Sequence, residues 1–472
     1  MPTSPEQGGR SQQGGRPPWT PDTNDQSPRT PDTNDQAAPS NRALSREVLA
    51  LAIPAFATLV AEPLMLMVDA AVLGHVSTEA LAGVGIAASI ITVPVGLCIF
   101  LAYGTTASVA RQLGAGHRDR ALRIGLDGLL LGLGLGVLLA ATLSLTAPIT
   151  TGWYPATPEV ADQAARYLRI VAIGLIGVLT MLAATGVLRG LQDTRTPLWV
   201  AIGINLANAA LNLGLVLGAG LGIIGAAIGT ATAQLAGGAI LATLVIRRAR
   251  RSGVAVRLDP SGLLAVARHG GWLVLRTASL QVAITTTAVI ATSFGTVAIA
   301  AHQVTNALWS LLAMALDAIA IAAQAIIGRY LGAGQVDVVR TLTVRMIRWG
   351  VVAGVVFGVV VLLTHPLYAG LFTPDPAVQA QLGAVLVVVA VVTPVSAAVF
   401  VLDGVLIGAG DARYLALAGG IALACYLPLA LTVYGTGAGL VWLWAAYTGY
   451  MVARLATLVV RARGTAWMRT GA

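Results

Sequence analysis

Five ionisable residues stand inside long apolar runs of this chain: Glu62, Asp69, Arg276, Asp317 and Asp403. A charge at hydrocarbon depth costs at least about 2.5 kcal/mol, so residues of this kind carry a function or compensate one another. In this set four carboxylates face a single guanidinium. Full ionisation would leave negative charge uncompensated in a medium of low dielectric, which favours proton uptake by one of the acids. A carboxyl group that exchanges protons with two aqueous phases is the chemical requirement of proton-coupled transport, and a negative interior suits a cationic substrate.

Depth and spacing separate the roles. Asp69 lies about five residues from the outer end of its helix, which Pro54 is expected to kink. Arg276 and Asp317 each lie about 14 residues, or about 20 Å, from the ends of their helices, and Asp403 about 10 residues from its own. These three are expected to form one network, either an ion pair that orients helices or part of the coupling chemistry. Glu62, near mid-span, is expected to reach Arg276 as a gate. Asp127 follows Arg123 by one helical turn and is expected to pair with it near the surface. Asn205, Asn208 and Asn212 share one helical face. With Thr230 and Gln281 they are read as polar cavity lining, the alternative being glue between helices. His75, His302 and His365 fall at span ends and are read as interfacial. Cys98 and Cys425 are isolated thiols in apolar runs, which make neither a disulfide framework nor a metal site. No HExxH, CxxC or P-loop pattern occurs. The sequence therefore implies no enzyme, no metal and no cofactor.

These residues need helices to hold them at depth. The 472 residues are 56% hydrophobic and 10% charged, with a mean hydropathy of +0.80. Charge-free runs such as Val351–Leu363 and Ala384–Val395 are bounded by clusters of ionisable residues. This is the pattern of an all-α polytopic membrane protein, since runs of about 20–30 residues exclude barrel strands. Twelve spans fit, at about 46–74, 81–110, 121–148, 163–189, 197–217, 222–247, 262–294, 298–330, 340–365, 379–408, 413–435 and 438–461. The net charge of +9 is all arginine, with no lysine. Without a soluble basic face it implies no nucleic-acid partner. Arginine usage with abundant Ala, Gly and Val points to a bacterial plasma membrane.

The chain repeats itself. Shifted by 218 residues, RQLGAG at Arg111–Gly116 falls on RYLGAG at Arg329–Gly334, Pro148 on Pro366, Gly190 on Gly408, Asp193 on Asp411 and Arg195 on Arg413. Two copies of six spans insert with the same orientation, which gives two six-helix lobes related by a pseudo-two-fold axis along the membrane normal. The shift fails at every proposed charge: Glu62 falls on Leu280, Asp69 on Thr287, Arg276 on Thr58, Asp317 on Ile99 and Asp403 on Thr185. Residues 43–248 are assigned to the first lobe (N-lobe), 249–261 to a linker and 262–462 to the second lobe (C-lobe). Residues 1–42, with TPDTNDQ twice, form an expected disordered tail, and 463–472 a second tail. Arginine fills the connections after even-numbered spans, including Arg118, Arg120, Arg247, Arg250 and Arg257, which places both termini in the cytoplasm.

The motifs resemble those of the multidrug and toxic compound extrusion (MATE) family, in its DinF-like branch. They are Ile53–Pro54, VDAAVLGH from Val68, EALAGVGIA from Glu79, TTASVARQLGAG from Thr105, LRGLQDTRTP from Leu188, RTASLQ from Arg276, LDAIAIAAQAIIGRYLGAG from Leu316 and LDGVLIGAGDAR from Leu402. The resemblance implies two lobes around a V-shaped cavity and export of organic cations or other toxic compounds against H+ or Na+. It implies that Asp69 is the family's span-1 acid, that Pro54 bends with its protonation, and that Asn208 and Thr230 are its polar partners. Asn212 stands where this branch often has Asp, and span 7 has Arg276 and no acid. Both departures favour H+. The expected partners are thus a small-molecule substrate, a coupling ion and the bilayer, with the protein a monomer. The rival readings are a lipid or polyprenyl-linked flippase, against which a single interior arginine counts, and a non-transporting membrane sensor or scaffold, against which the mid-membrane acids count. A major-facilitator transporter is disfavoured because RQLGAGHRDR does not fit that family's arginine-rich loop.

Overall fold

The computed structural model describes residues 41–74, 77–257, 259–372 and 374–471. The side chains of Glu62 and Asp69, all of His75, and the tail up to residue 40 lie outside the described residues. Among the described residues, thirteen α-helices account for the twelve expected spans: α1 (Asn41–Gly74), α2 (Thr78–Leu97), α3 (Phe100–Gly114), α4 (Arg118–Thr151), α5 (Pro158–Gly190), α6 (Arg195–Asn212), α7 (Gly222–Arg251), α8 (Pro260–Ser293), α9 (Thr296–Gly332), α10 (Val336–Phe372), α11 (Pro376–Gly408), α12 (Ala412–Thr436) and α13 (Leu440–Arg463). The second span, expected as one helix, is α2 and α3 broken at Cys98–Ile99. Pro94 has no N–H to give its own turn, and Cys98 N closes a tighter one by donating to both Pro94 O and Val95 O. The fifth span continues past α6 as a π-helical turn, Leu213–Gly218.

Local chemistry sets the helix starts. Thr157, Asp259 and Asp375 each cap a helix whose next residue is proline, and Ser77 caps α2 by accepting from Ala80 N at 3.2 Å. Pro54 lies inside α1 and leaves Ala50 O without its helical donor; Thr194 Oγ1 reaches that carbonyl at 3.4 Å. The turn after α11 places Gly410 at φ +76°, and the same turn after α5 places Gln192 at φ +67°. The 218-residue shift superposes these two. Gln192 occupies this left-handed conformation while its Nε2 donates to Ala325 O at 3.1 Å, across to α9.

The repeat is as plain in packing as in sequence. α5 packs on α3, α4 and α7, as α11 packs on α9, α10 and α13; α1 lies on α6 as α8 lies on α12. Between the halves, α9 meets α1 and α3. Glycines permit these approaches. A Cβ on Gly186 or Gly190 would strike α3, and one on Gly404 or Gly408 would strike α9 at the equivalent residues. Gly114 faces the Arg329 carbonyl and Gly332 the Arg111 carbonyl, so the two LGAG turns seat each other across the pseudo-axis. Neither backbone leaves room for a methyl group. Gly114→Ala is therefore expected to hold the lobes apart at this end, by overlap with main chain that cannot swing aside. Cysteine-crosslinking yield between the ends of α3 and α9 should fall several-fold; an undiminished yield would show that the turns accommodate the methyl group without parting.

This arginine-rich end is further clasped. Glu47 of α1 pairs with Arg329 of α9. Arg111 donates to Ala409 O at 2.5 Å and to Arg469 O and Gly471 O at 2.8 and 2.9 Å. Within each half, the aspartate of the GxxDxR turn holds an arginine of the half's last helix, Asp193 with Arg248 and Asp411 with Arg461, both at 2.6 Å. Burial opposes ionisation of Asp193, but hydrogen bonds from Thr196 and Arg248 hold its carboxyl below the usual carboxylate range. A depressed folded value means this clasp contributes fully at neutral pH and is lost only as pH falls through that low value. Around the bundle large apolar side chains face outward, among them Leu145, Leu206, Leu363 and Val391. This outward apolar surface is what lipid contact requires.

Candidate functional site

The cavity that gathers most of the candidate chemistry lies in the first half, closed on one side by α9. It holds about 200 Å³ and is bordered by Thr58, Tyr103, Thr185, Arg189, Asn205, Gln234 and Asp317 among apolar neighbours. Asp317 reaches it from the second half. Its carboxylate accepts the Tyr103 hydroxyl at 2.8 Å, and Arg189 and Arg276 lie within its electrostatic reach. Gln324, two turns along α9, donates to Tyr103 O and fixes the same junction from below. Only one half of this junction is polar. Under the 218-residue shift Tyr103 falls on Ile321 and Asp317 on Ile99, and both isoleucines border the same cavity. The Tyr103–Asp317 hydrogen bond thus has an apolar mirror image across the pseudo-axis.

The second half holds a different arrangement. Asp403 on α11 is buried and accepts from Arg276 of α8 at 2.7 Å and from Arg454 of α13. Tyr450 stands beside Arg454, its ring centroid 5.8 Å from the guanidinium. Only about 10 Å³ of space remains among these side chains. The repeat equivalents of Arg276 and Asp403 are Thr58 and Thr185, and both threonines border the large cavity. Where the first half is open, the second is filled by ions. Aromatic rings fill it further, with Trp309, Trp444, Tyr447, Tyr450 and Tyr426 stacked edge to face at centroid distances of 5.6–6.2 Å.

Several expectations are thereby placed or corrected. Within the expected network, Arg276 and Asp403 bond directly, while Asp317 bonds Tyr103 and has Arg276 within its electrostatic reach. The count of one guanidinium against four acids is overturned, because Arg189 and Arg454 are also buried. Arg454 follows the same depth signal as Arg276 and was legible in sequence. Arg189 stands next to a helix end, where it reads as a topology residue. Tyr103 and Gln234 carry no sequence signal. The expected Glu62–Arg276 gate falls on a side chain outside the described residues. Asp127 lies 3.9 Å from Arg123 as expected, but is buried rather than at the surface.

The asparagine face divides. Asn205 borders the cavity and donates to Ala61 O of α1 at 2.6 Å. Asn208 and Asn212 are fully buried, Asn212 donating to Asn208 Oδ1 at 2.6 Å and Asn208 to Thr230 at 3.4 Å, which joins α6 to α7. Gln281, half-buried on α8, does not border this cavity. His302, near the start of α9, is buried against Trp444, and Cys425 is exposed.

Comparison with known proteins follows the same division of the chain. The MatE family pattern matches residues 54–214 and 274–432, one match in each half. The chain is 28% identical over 431 residues to Protein DETOXIFICATION 44, chloroplastic, of Arabidopsis thaliana, covering 87% of this chain and 81% of that one. It is also 28% identical to DNA damage-inducible protein F of Escherichia coli, covering 83% of this chain and 87% of that one. Its fold matches a MOP superfamily transporter from Pyrococcus furiosus with a TM-score of 0.82 at 21% identity, over 90% of this chain and 97% of that one. A MATE in the straight conformation matches at 0.81 and 20% identity, over 90% and 97%. With a family match in each repeat and a shared twelve-span fold, this chain belongs to the MATE family, and is a transporter, not an enzyme.

Proposed function

We propose that this protein exports organic, cationic or amphiphilic compounds from a bacterial cytoplasm in exchange for H+, by rocking of two lobes about a central site. The lobes are residues 43–248 and 262–462, joined by the linker 249–261, with residues 1–42 and 463–472 and both termini on the cytoplasmic side. The observation that carries the reading is Asp317, a carboxylate that borders the cavity and is held by a neutral hydroxyl at 2.8 Å. Asp403, by contrast, is bracketed by two guanidinium groups and has a structural setting. A cationic substrate and a proton compete for Asp317. Proton binding removes the charge that retains the substrate and weakens the acceptor that Tyr103 donates to across the lobes.

Asp69 and Glu62 of α1 complete the acid set. Thr58, Leu59, Ala61 and Met65 of α1 border the cavity, and the repeat equivalents of Asp69 and Asn208 are Thr287 and Tyr426, whose hydroxyls lie 2.6 Å apart. That pairing supports Asp69 acting with Asn208, Asn212 and Thr230. The clasps at the arginine-rich end support a conformer closed towards the cytoplasm, with Glu47–Arg329 and Arg111–Ala409 breaking as the lobes rock.

The test is uptake of a cationic dye into inside-out vesicles, with a pH gradient (acid inside) and a Na+ gradient imposed separately. The pH gradient alone should drive uptake. Uptake driven only by Na+ would overturn H+ as the ion, and uptake with neither gradient dependence would overturn secondary transport.

A further inference from the structure

We infer that the start of α10 is a binding site for the phosphate headgroup of an anionic phospholipid. Arg340, Arg345 and Arg348 border one surface groove of about 520 Å³ with Thr341, Val344 and Trp349. At 100° per residue the three arginines lie on one helical face. Their depth fits a headgroup. Trp349 opens the charge-free stretch that runs to Leu363, and tryptophan prefers the boundary between headgroups and hydrocarbon. The arginines therefore stand in the first three turns outside the hydrocarbon. Below them the same face exposes Val352, Val355, Val356, Val359 and Leu363, a surface for acyl chains. The stretch Val336–Trp349 holds three arginines against Asp337, which lies 3.9 Å from Arg340.

The repeat shows that this face is not a general feature of the scaffold. The equivalents of Arg340, Arg345 and Arg348 in α4 are Leu122, Asp127 and Leu130. That end of α4 is covered by the chain itself. Arg123 donates to Ala255 O of the linker at 3.1 Å and lies 4.0 Å from Asp259, while α8 packs against α4. On α10 the helix neighbours are α9 and α11, and Arg340 and Arg348 are exposed. Arginine stands in α10 where the linker-covered α4 has the buried Leu122, the buried Asp127 and the half-buried Leu130. Forked guanidinium donors match phosphate oxygens, and each basic residue at this level is worth about a fivefold gain for an anionic surface.

Native mass spectrometry of the delipidated full chain tests this with phosphatidylglycerol and phosphatidylcholine as competing probes. The wild type should retain phosphatidylglycerol preferentially. Arg345→Gln/Arg348→Gln should lose that preference by at least about tenfold. The control, Arg118→Gln/Arg120→Gln at the exposed start of α4, should keep it. Equal loss in both variants, or an unchanged preference in the first, overturns the site. Displacement of the lipid by millimolar inorganic phosphate would also overturn it, since the groove would then recognise free phosphate.

Discussion

Asp317→Asn is expected to abolish uptake driven by a pH gradient while leaving the protein folded and inserted. The amide keeps the shape of the carboxyl and can still accept from Tyr103, so the junction between α3 and α9 survives. What it loses is the charge and the titration. A charge-assisted contact is worth about 1.5–3 kcal/mol, so binding of a cationic dye should weaken roughly tenfold or more. Binding should also lose its dependence on pH, because proton and substrate no longer compete. Tyr103→Phe separates the two effects: it removes the hydroxyl and leaves the acid, and should retain driven uptake at a reduced rate. Binding titrations of a fluorescent cation at several pH values, beside vesicle uptake, read both quantities. If Asp317→Asn binds the dye with unchanged pH dependence, the proton is carried elsewhere, and Asp69→Asn becomes the decisive variant.

The sequence made the scaffold legible because the scaffold is written twice. The apolar runs give twelve spans, and the 218-residue shift pairs prolines, the LGAG turns and the GxxDxR turns. Both kinds of turn are contacts: Gly114 on Arg329, Gly332 on Arg111, Asp193 with Arg248, Asp411 with Arg461. The site was legible only as a list of charges out of place. Depth in a span finds Arg276, Asp317 and Asp403, yet it does not say which of them meet, because partners lie on helices far apart in sequence. Tyr103 and Asp317 are 214 residues apart, and Arg276 and Asp403 127 apart. A tyrosine in an apolar helix is ordinary, and nothing local marks it as the partner of an acid on the other lobe. The break between α2 and α3 was hidden for a local reason: a proline that a membrane helix tolerates combines there with a tightened turn.

The second large effect concerns Asp403, and its sign follows from what it holds. Asp403→Thr leaves the largely enclosed Arg276 and the buried Arg454 with no carboxylate between them. Removing one partner of a buried ion cluster costs about 3–5 kcal/mol, because the remaining charge keeps its desolvation penalty and loses its compensation. The variant should melt well below the wild type in detergent and accumulate poorly in membranes. The repeat supplies the repair. Thr58, Thr185 and Ala236 occupy the equivalent positions in the first lobe, so Arg276→Thr/Asp403→Thr/Arg454→Ala rewrites the second lobe in the first lobe's residues. Three substitutions remove more packing than one, yet they leave no charge unpaired. The triple variant should therefore be more stable than Asp403→Thr alone, a non-additivity that independent sites do not show. It should also open space in the second lobe beside Gly419, Tyr450 and Thr457, where little is left between the side chains now. If Asp403→Thr melts with the wild type, the ion cluster does not hold the lobe together. If the triple melts below the single, packing and not charge compensation is what the cluster provides.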